Sequence, residues 1–299
     1  MTTWLGLSAL ASLFWIAAAY HYSGVVAAGW AITIPGVLVA QVILFRVILV
    51  CRRSSSVRAQ LEPGLMSGKK DAGPDLSQLP AVSYLYVLGS GGHTTEMIAI
   101  IKQSFKANKN QHRRYIITDG DTHSLNQSKA LENLIRASCP DDAGTHDTLM
   151  VTRARAVHQS FITSVFTSAK SALDIIAALT AVPSQRRYGP DSALFKWPHV
   201  IVTNGPGTGF IVGLVAFALK VVCRVPKDRL KVVFVETWAR DNKLGLTGKL
   251  FNMTGIADLF VVQSPLLAKA VGKPNIGNIN FRYAQLPRPG PTASNDKME

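Results

Sequence analysis

Two stretches near the N-terminus are apolar with no charge inside them, whereas the rest of the chain alternates short apolar runs with amphipathic ones. From Trp4 to Tyr20 every residue is apolar or small. That is about 25 Å of helix at roughly 1.5 Å per residue, near the short limit for a membrane span. After His21-Tyr22-Ser23-Gly24 a second run, Val25 to Phe45, is interrupted by Thr33, Pro35, Gly36 and Gln41. It matches the roughly 20 residues that cross a hydrocarbon core. A cleaved leader would need a cationic start, which the first run lacks, and the second run would still anchor the chain. Arg46, Arg52, Arg53 and Arg58 follow, and such a basic flank places what comes next on the cytosolic side. Residues 1–51 therefore read as a membrane anchor of one or two transmembrane helices. Residues 52–80, with Pro63, Gly64, Gly68, Gly73, Pro74 and Pro80, read as a juxtamembrane linker.

Beyond the linker, residues 81–283 alternate strand and helix patterns. Strands are expected at Val82–Leu88, Tyr115–Thr118, Leu149–Thr152, Val200–Thr203, Lys231–Val235 and Leu259–Val262. Helices are expected at Thr95–Phe105, Ser124–Ala137, Val157–Ala181, Phe210–Val222 and Leu244–Met253. This order implies an α/β domain with a mainly parallel, Rossmann-like sheet covered on both faces, and ligands beyond the carboxyl ends of the strands. Phe210 to Leu219 is too short before Lys220 to be another span. Residues 284–299 are polar and Pro-rich, and read as a tail.

Composition narrows the partners. The formal net charge is +14 over 299 residues, and most of it lies beyond residue 80. No zinc finger, RNP aromatic pattern or heptad accompanies it, so nucleic acid is not expected, and an anionic lipid or pyrophosphate headgroup accounts for a tethered basic domain. Cys51, Cys139 and Cys223 make neither a disulfide framework nor a metal knuckle, so no metal site is expected. The sequons at Asn126 and Asn252 should stay bare in a cytosolic domain.

The chemistry-bearing residues fall where strands end. The first strand runs into Gly89-Ser90-Gly91-Gly92-His93-Thr94-Thr95-Glu96. Glycines at a strand-to-helix turn let backbone N–H groups approach an anion, and the helix N-terminus favours negative charge. A nicotinamide dinucleotide fingerprint is the nearest rival, with Asp119 to hold a ribose, but Thr94 stands where that fingerprint wants Gly or Ala. His93 is a candidate general base, and Glu96 would orient it, accept from a sugar hydroxyl, or cap the helix. Asp119-Gly120-Asp121 could carry a divalent metal, yet the same residues make ordinary turns and Ser124 is a good N-cap. Arg153 and Arg155 suit bidentate phosphate contacts, or a solvated basic edge. Asn204-Gly205-Pro206-Gly207-Thr208-Gly209 is a second glycine-rich turn on the same edge of the sheet. Glu236 ends the fifth strand, where it would bind sugar hydroxyls or pair with Arg240.

Taken in order, these motifs resemble those of a known family, the membrane-anchored subunit of the UDP-N-acetylglucosamine transferase that adds the second GlcNAc in the dolichol pathway of asparagine-linked glycosylation. The resemblance covers about residues 82–280 and includes Leu246-x-Gly248-Lys249 and Val262-Gln263-x-Pro265. The glycine-His turn also looks like that of MurG-type transferases. The resemblance implies one Rossmann-like domain, the N-terminal, acceptor-side half of a GT-B glycosyltransferase. The size agrees, since a two-domain enzyme needs two units of roughly 100–200 residues and only about 200 are available here. It further implies a soluble partner that holds UDP-GlcNAc, a GlcNAc-pyrophosphate-dolichol acceptor and no redox cofactor. The expected location is the cytosolic face of the endoplasmic reticulum membrane, with the nuclear envelope as its extension. In that scheme His93 and Glu96 are catalytic. Gly89, Ser90, Gly91, Gly92, Thr94, Arg153 and Arg155 face the acceptor pyrophosphate. Asp119, Asp121, Asn204, Gly205, Gly207, Thr208, Glu236 and Arg240 line the pocket. A membrane-bound NAD(P) oxidoreductase and a non-catalytic membrane scaffold are the competing classes.

Overall fold

The computed structural model describes residues 11–18, 24–66, 81–153, 161–186, 192–205, 207–223 and 225–279. Residues 11–18, within the first apolar run, are helical. Helix α1 spans Gly24–Met66. Within its segment Thr33–Ala59 an 18-residue window reaches a mean hydropathy of 2.4, and this is the one helix among the described residues long and apolar enough to cross a membrane. Val37, Leu38, Val42 and Phe45 are all exposed, as a lipid-facing surface requires.

The linker expectation needs correction. The helix runs on through residues 52–66, and residues 67–80 lie outside the described part. The cause is docking, which a propensity reading of Pro63 and Gly64 does not capture. Val50 is buried, and Arg46 Nη2 donates to the carbonyls of Lys220 at 3.1 Å and Cys223 at 2.7 Å. Arg58 Nη2 donates to Gly255 O at 2.6 Å, and Ser54 Oγ to Ala257 O at 3.4 Å. The acceptors are carbonyls at or just past helix C-terminal ends, which lack intrahelical donors and favour a cation.

The domain follows as β1 (Val82–Leu88), α2 (Gly92–Ser104), β2 (Gln111–Thr118), α3 (Thr122–Ser138), β3 (Thr145–Val151), α4 (Phe161–Thr180), β4 (Val200–Asn204), α5 (Gly207–Val222), β5 (Lys231–Val235), α6 (Leu246–Thr254), β6 (Leu259–Val261) and α7 (Pro265–Val271). The six strands form one parallel sheet in the order β3-β2-β1-β4-β5-β6. Alternation along β1 splits the core. Tyr86 and Leu88 pack with Met97, Ile101, Leu131 and Ile135 of α2 and α3, while Leu85 and Val87 belong to the cluster of α4, α5 and α6 on the other face. Helices therefore leave β1 and β4, which are neighbours, toward opposite faces. That is the topological switch point, where a crevice opens at the carboxyl ends of the strands.

β2 and β3 begin earlier than their apolar runs, at Gln111 and Thr145. β2 begins at Gln111 because His112, Arg113 and Arg114 are buried with partners. Arg113 pairs with Glu132 at 2.7 Å, and Arg114 with Asp147 at 2.6 Å. Arg114 Nη1 also donates to the carbonyls of Ala178 and Ala181 at the end of α4. Burial pushes the Glu132 carboxyl up, but Arg113, His146 and Tyr115 outweigh it and hold its pKa at about 2.

Candidate functional site

The turn after β1 is built around Gly91, whose φ of 63° and ψ of −128° suit glycine, and which caps α2 without a side-chain bond. Beside Gly91 and Gly92 a Cβ would meet no atom within 4 Å. Of the first N–H groups of α2, those of Thr94 and Thr95 bond Gly91 O, and those of Gly92 and His93 have no earlier carbonyl in the helix to bond. Gly91 and Gly92 leave the turn open where their side chains would be, while Gly89 is buried with its carbonyl accepting from Thr94 and Ser124.

Thr94 does not face that opening. It is fully buried; its hydroxyl donates to Gly89 O and lies 2.6 Å from Ser124 Oγ, while its N–H bonds Gly91 O at 3.1 Å. Asp121 is also drawn inward. It caps α3, accepting from Ser124 N at 3.0 Å and Ser124 Oγ at 2.7 Å. These polar groups bind the β1 and β2 turns to each other and leave only Asp119 of the Asp-x-Asp pair exposed. The pocket assignment of Asp121 and the phosphate assignment of Thr94 are corrected accordingly: capping and turn closure use up their polar atoms.

His93 stands where the two glycine turns meet. Its side chain is 34% exposed, and its Nδ1 lies 3.8 Å from Glu96 Oε2, an ion-pair distance rather than a hydrogen bond. The ring lies against Gly205, where a Cβ would come within 2.2 Å of His93 Cε1. Asn204 completes the junction, its Nδ2 donating to His93 O at 2.9 Å and to Glu96 Oε2 at 3.0 Å. Gly207 borders open space, whereas Thr208 is buried in the first turn of α5.

Glu96 is the hub of this junction and only 1% exposed. Its Oε1 accepts from Trp238 N at 3.0 Å and from Gln263 Nε2, and Gln263 Nε2 also donates to Glu236 O at 3.1 Å. Burial pushes the Glu96 carboxyl up, but His93, the Trp238 N–H, Gln263 and Asn204 more than compensate and hold its pKa below the ordinary value. A carboxylate so fully engaged by donors serves poorly as a proton shuttle. It lies beside His93 and ties the ends of β4, β5 and β6 to α2. Gln263 is the residue that sequence reasoning missed: it was visible in the Val262-Gln263-x-Pro265 motif, but nothing local marks it as a partner of Glu96.

Glu236 behaves differently. It is 2% exposed, with Oε1 accepting from Thr237 N at 3.3 Å and a buried Oε2 that has no hydrogen-bond partner. Burial raises its pKa and the nearby Glu96 adds to the effect, against the Thr237 and Gly245 N–H groups and Arg240. No ion pair joins it to Arg240 among the described residues. His93 Nδ1 and Asn204 Oδ1 are likewise buried without partners. Three polar atoms at the junction thus lack hydrogen-bond partners, with Glu236 Oε2 packed so close to Gly248 that a Cβ there would come within 1.9 Å of it. Arg153 follows β3 at the same edge, half-buried; Arg155 lies outside the described residues.

Residues 84–279 match the family model described as "Oligosaccharide biosynthesis protein Alg14 like". Over 185 residues the chain is 34% identical to the UDP-N-acetylglucosamine transferase subunit ALG14 of Yarrowia lipolytica, covering 62% of this chain and 74% of that one. The proteins of that name from Mus musculus and Homo sapiens are 31% and 30% identical, covering 63% and 67% of this chain and 78% and 83% of theirs. Among solved structures, MurG of Acinetobacter baumannii superposes with a TM-score of 0.37 at 14% identity, covering 63% of this chain and 42% of that one.

Proposed function

Because the chain belongs to the family of Alg14-like oligosaccharide biosynthesis proteins, we propose that it is the membrane-anchoring, acceptor-binding subunit of a heteromeric UDP-GlcNAc transferase. The reaction is transfer of GlcNAc from UDP-GlcNAc onto GlcNAc-pyrophosphate-dolichol at the cytosolic face of the endoplasmic reticulum membrane. The observation that carries the reading is the junction of the two glycine turns: an open N–H cradle beside a histidine that a buried carboxylate holds at ion-pair distance.

The cradle, with Arg153, takes the acceptor pyrophosphate. The acceptor hydroxyl attacks the anomeric carbon of the donor, UDP departs from the opposite side, and the hydroxyl proton passes to His93. Glu96 stabilises the imidazolium that forms and so acts as a positioning residue. The donor nucleotide is held by a soluble partner. In support, Trp238, Leu246 and Leu266 are large, exposed apolar side chains that follow β5 and β6 on the carboxyl edge of the sheet, around the crevice.

The test is to purify the full chain with and without its cytosolic partner and to assay transfer to a lipid-pyrophosphate acceptor. Activity should require both proteins and should fall by about 10²–10⁴-fold in His93→Ala. Full activity of the chain alone, or tight nicotinamide nucleotide binding by it, would overturn the reading.

A further inference from the structure

A second cavity lies far from the glycine turns, at the foot of the membrane helix. It is a half-open pocket of about 310 Å³ between α1 and the end of α5 with the turn that follows, and its lining includes Arg46, Leu49, Arg53, Lys220, Val225 and Lys227. Four of these are cationic, and their charges are poorly matched. Lys220 pairs with Asp258 at 2.8 Å, and Arg46 bonds two backbone carbonyls. Neither Arg53 nor Lys227 forms an ion pair among the described residues. The neighbouring Lys231 registers the excess. Its pKa is depressed first by burial and further by the positive charges of Lys220 and Arg53, against the pull of Asp258 and Asp228.

The position of the cavity limits what can fill it. Arg46 is the first charge after the apolar run that ends at Phe45, so the cavity sits at headgroup level on the side of the bilayer that bears the domain. Leu38, Val42, Arg46, Leu49 and Arg53 follow one another at helical spacing down a single stripe of α1. Leu38 and Val42 are exposed directly above the cations. The cavity borders the C-terminal end of α5, hence the edge where the strands begin, about 20 Å from the glycine turns at roughly 3.3 Å per strand residue. The acceptor pyrophosphate bound in the crevice cannot occupy it at the same time.

We propose that this cavity is a binding site for an anionic phospholipid of the cytosolic leaflet. The phosphate headgroup lies among Arg53, Lys227, Lys220 and Arg46, and an acyl chain runs along Leu38 and Val42. The inference rests on α1 crossing the bilayer and is independent of the transfer reaction.

The experiment compares the full chain in nanodiscs of phosphatidylcholine alone and of phosphatidylcholine with a minority of phosphatidylserine, reading the lipids retained by native mass spectrometry. Arg53 and Lys227 are exposed, so the Arg53→Ala/Lys227→Ala variant should fold, and an unchanged melting temperature in pure phosphatidylcholine checks this. The wild-type chain should retain phosphatidylserine in preference to phosphatidylcholine. The variant should lose that preference by roughly tenfold or more, the scale expected for removing two basic side chains at an anionic surface. Equal retention by the two proteins would overturn the proposal. So would full displacement by millimolar inorganic phosphate, which would mark a site for free anions.

Discussion

Gly205→Ala isolates the junction of the two turns. Gly205 has φ of 74°, so an alanine there sits in the left-handed region at a cost of about 1–2 kcal/mol. The new methyl would also lie 2.2 Å from His93 Cε1 and 2.3 Å from His93 Nδ1. Carbon–carbon contacts are comfortable at about 3.5–4.0 Å, so the ring must retreat by at least about 1.3 Å. A displacement of roughly 1 Å in a reacting group can lower the rate about 10²-fold. The assay is kcat for GlcNAc transfer with the partner at saturation, alongside the melting temperature of the anchored chain. Gly207→Ala is the comparison, since its Cβ meets nothing within 4 Å and its φ is not positive; it should leave stability within about 0.5 kcal/mol of wild type. We expect Gly205→Ala to fold, to lose about 1–2 kcal/mol of stability, and to lose about 10²-fold in kcat. If a folded Gly205→Ala retains kcat within about twofold of the wild-type value, His93 need not stand where it does and the proposed role of the junction fails.

Two further outcomes follow from buried carboxylates. Glu96→Gln keeps the shape but replaces an acceptor oxygen with an NH₂ that must face Asn204 Nδ2, or Trp238 N and Gln263 Nε2. Chemical denaturation should show a loss of about 1–3 kcal/mol, and a variant as stable as wild type would contradict the hub assignment. Glu132, with a folded pKa of about 2 against an ordinary 4.5, contributes stability that is fully present above pH 4.5 and is lost as pH falls toward 2. Its contribution is of order 3 kcal/mol. Acid titration of Glu132→Gln should therefore show a shallower fall in stability between those pH values, and a slope identical to wild type would refute the assignment.

The elements most legible in the sequence were those whose apolar pattern is uninterrupted. β1 and β5 have the expected bounds, and the glycine turns fall at the ends of β1 and β4, as strand-to-helix chemistry requires. Legibility failed where burial is polar. The start of β2 reads as a charged loop until Glu132 and Asp147, far along the chain, neutralise Arg113 and Arg114. The short α7 was missed altogether; only Ser264 capping before Pro265 signals it. Within the site, His93, Asn204 and Glu236 were visible as residue types at strand ends. The separate fates of Glu96 and Glu236, one saturated with donors and the other left with a bare oxygen, depend on contacts from three other elements that no local pattern encodes. The continuation of α1 likewise depends on carbonyls more than a hundred residues away.

Those carbonyl latches also have a mechanical consequence. Arg46 and Arg58 grip the domain at two points about 18 Å apart along one helix, at roughly 1.5 Å per residue. A lever held at two points cannot swivel freely about its own axis. A bilayer thinner than the apolar length of α1 makes that helix tilt, and the domain must lean with it, so the angle at which the crevice meets the leaflet follows membrane thickness.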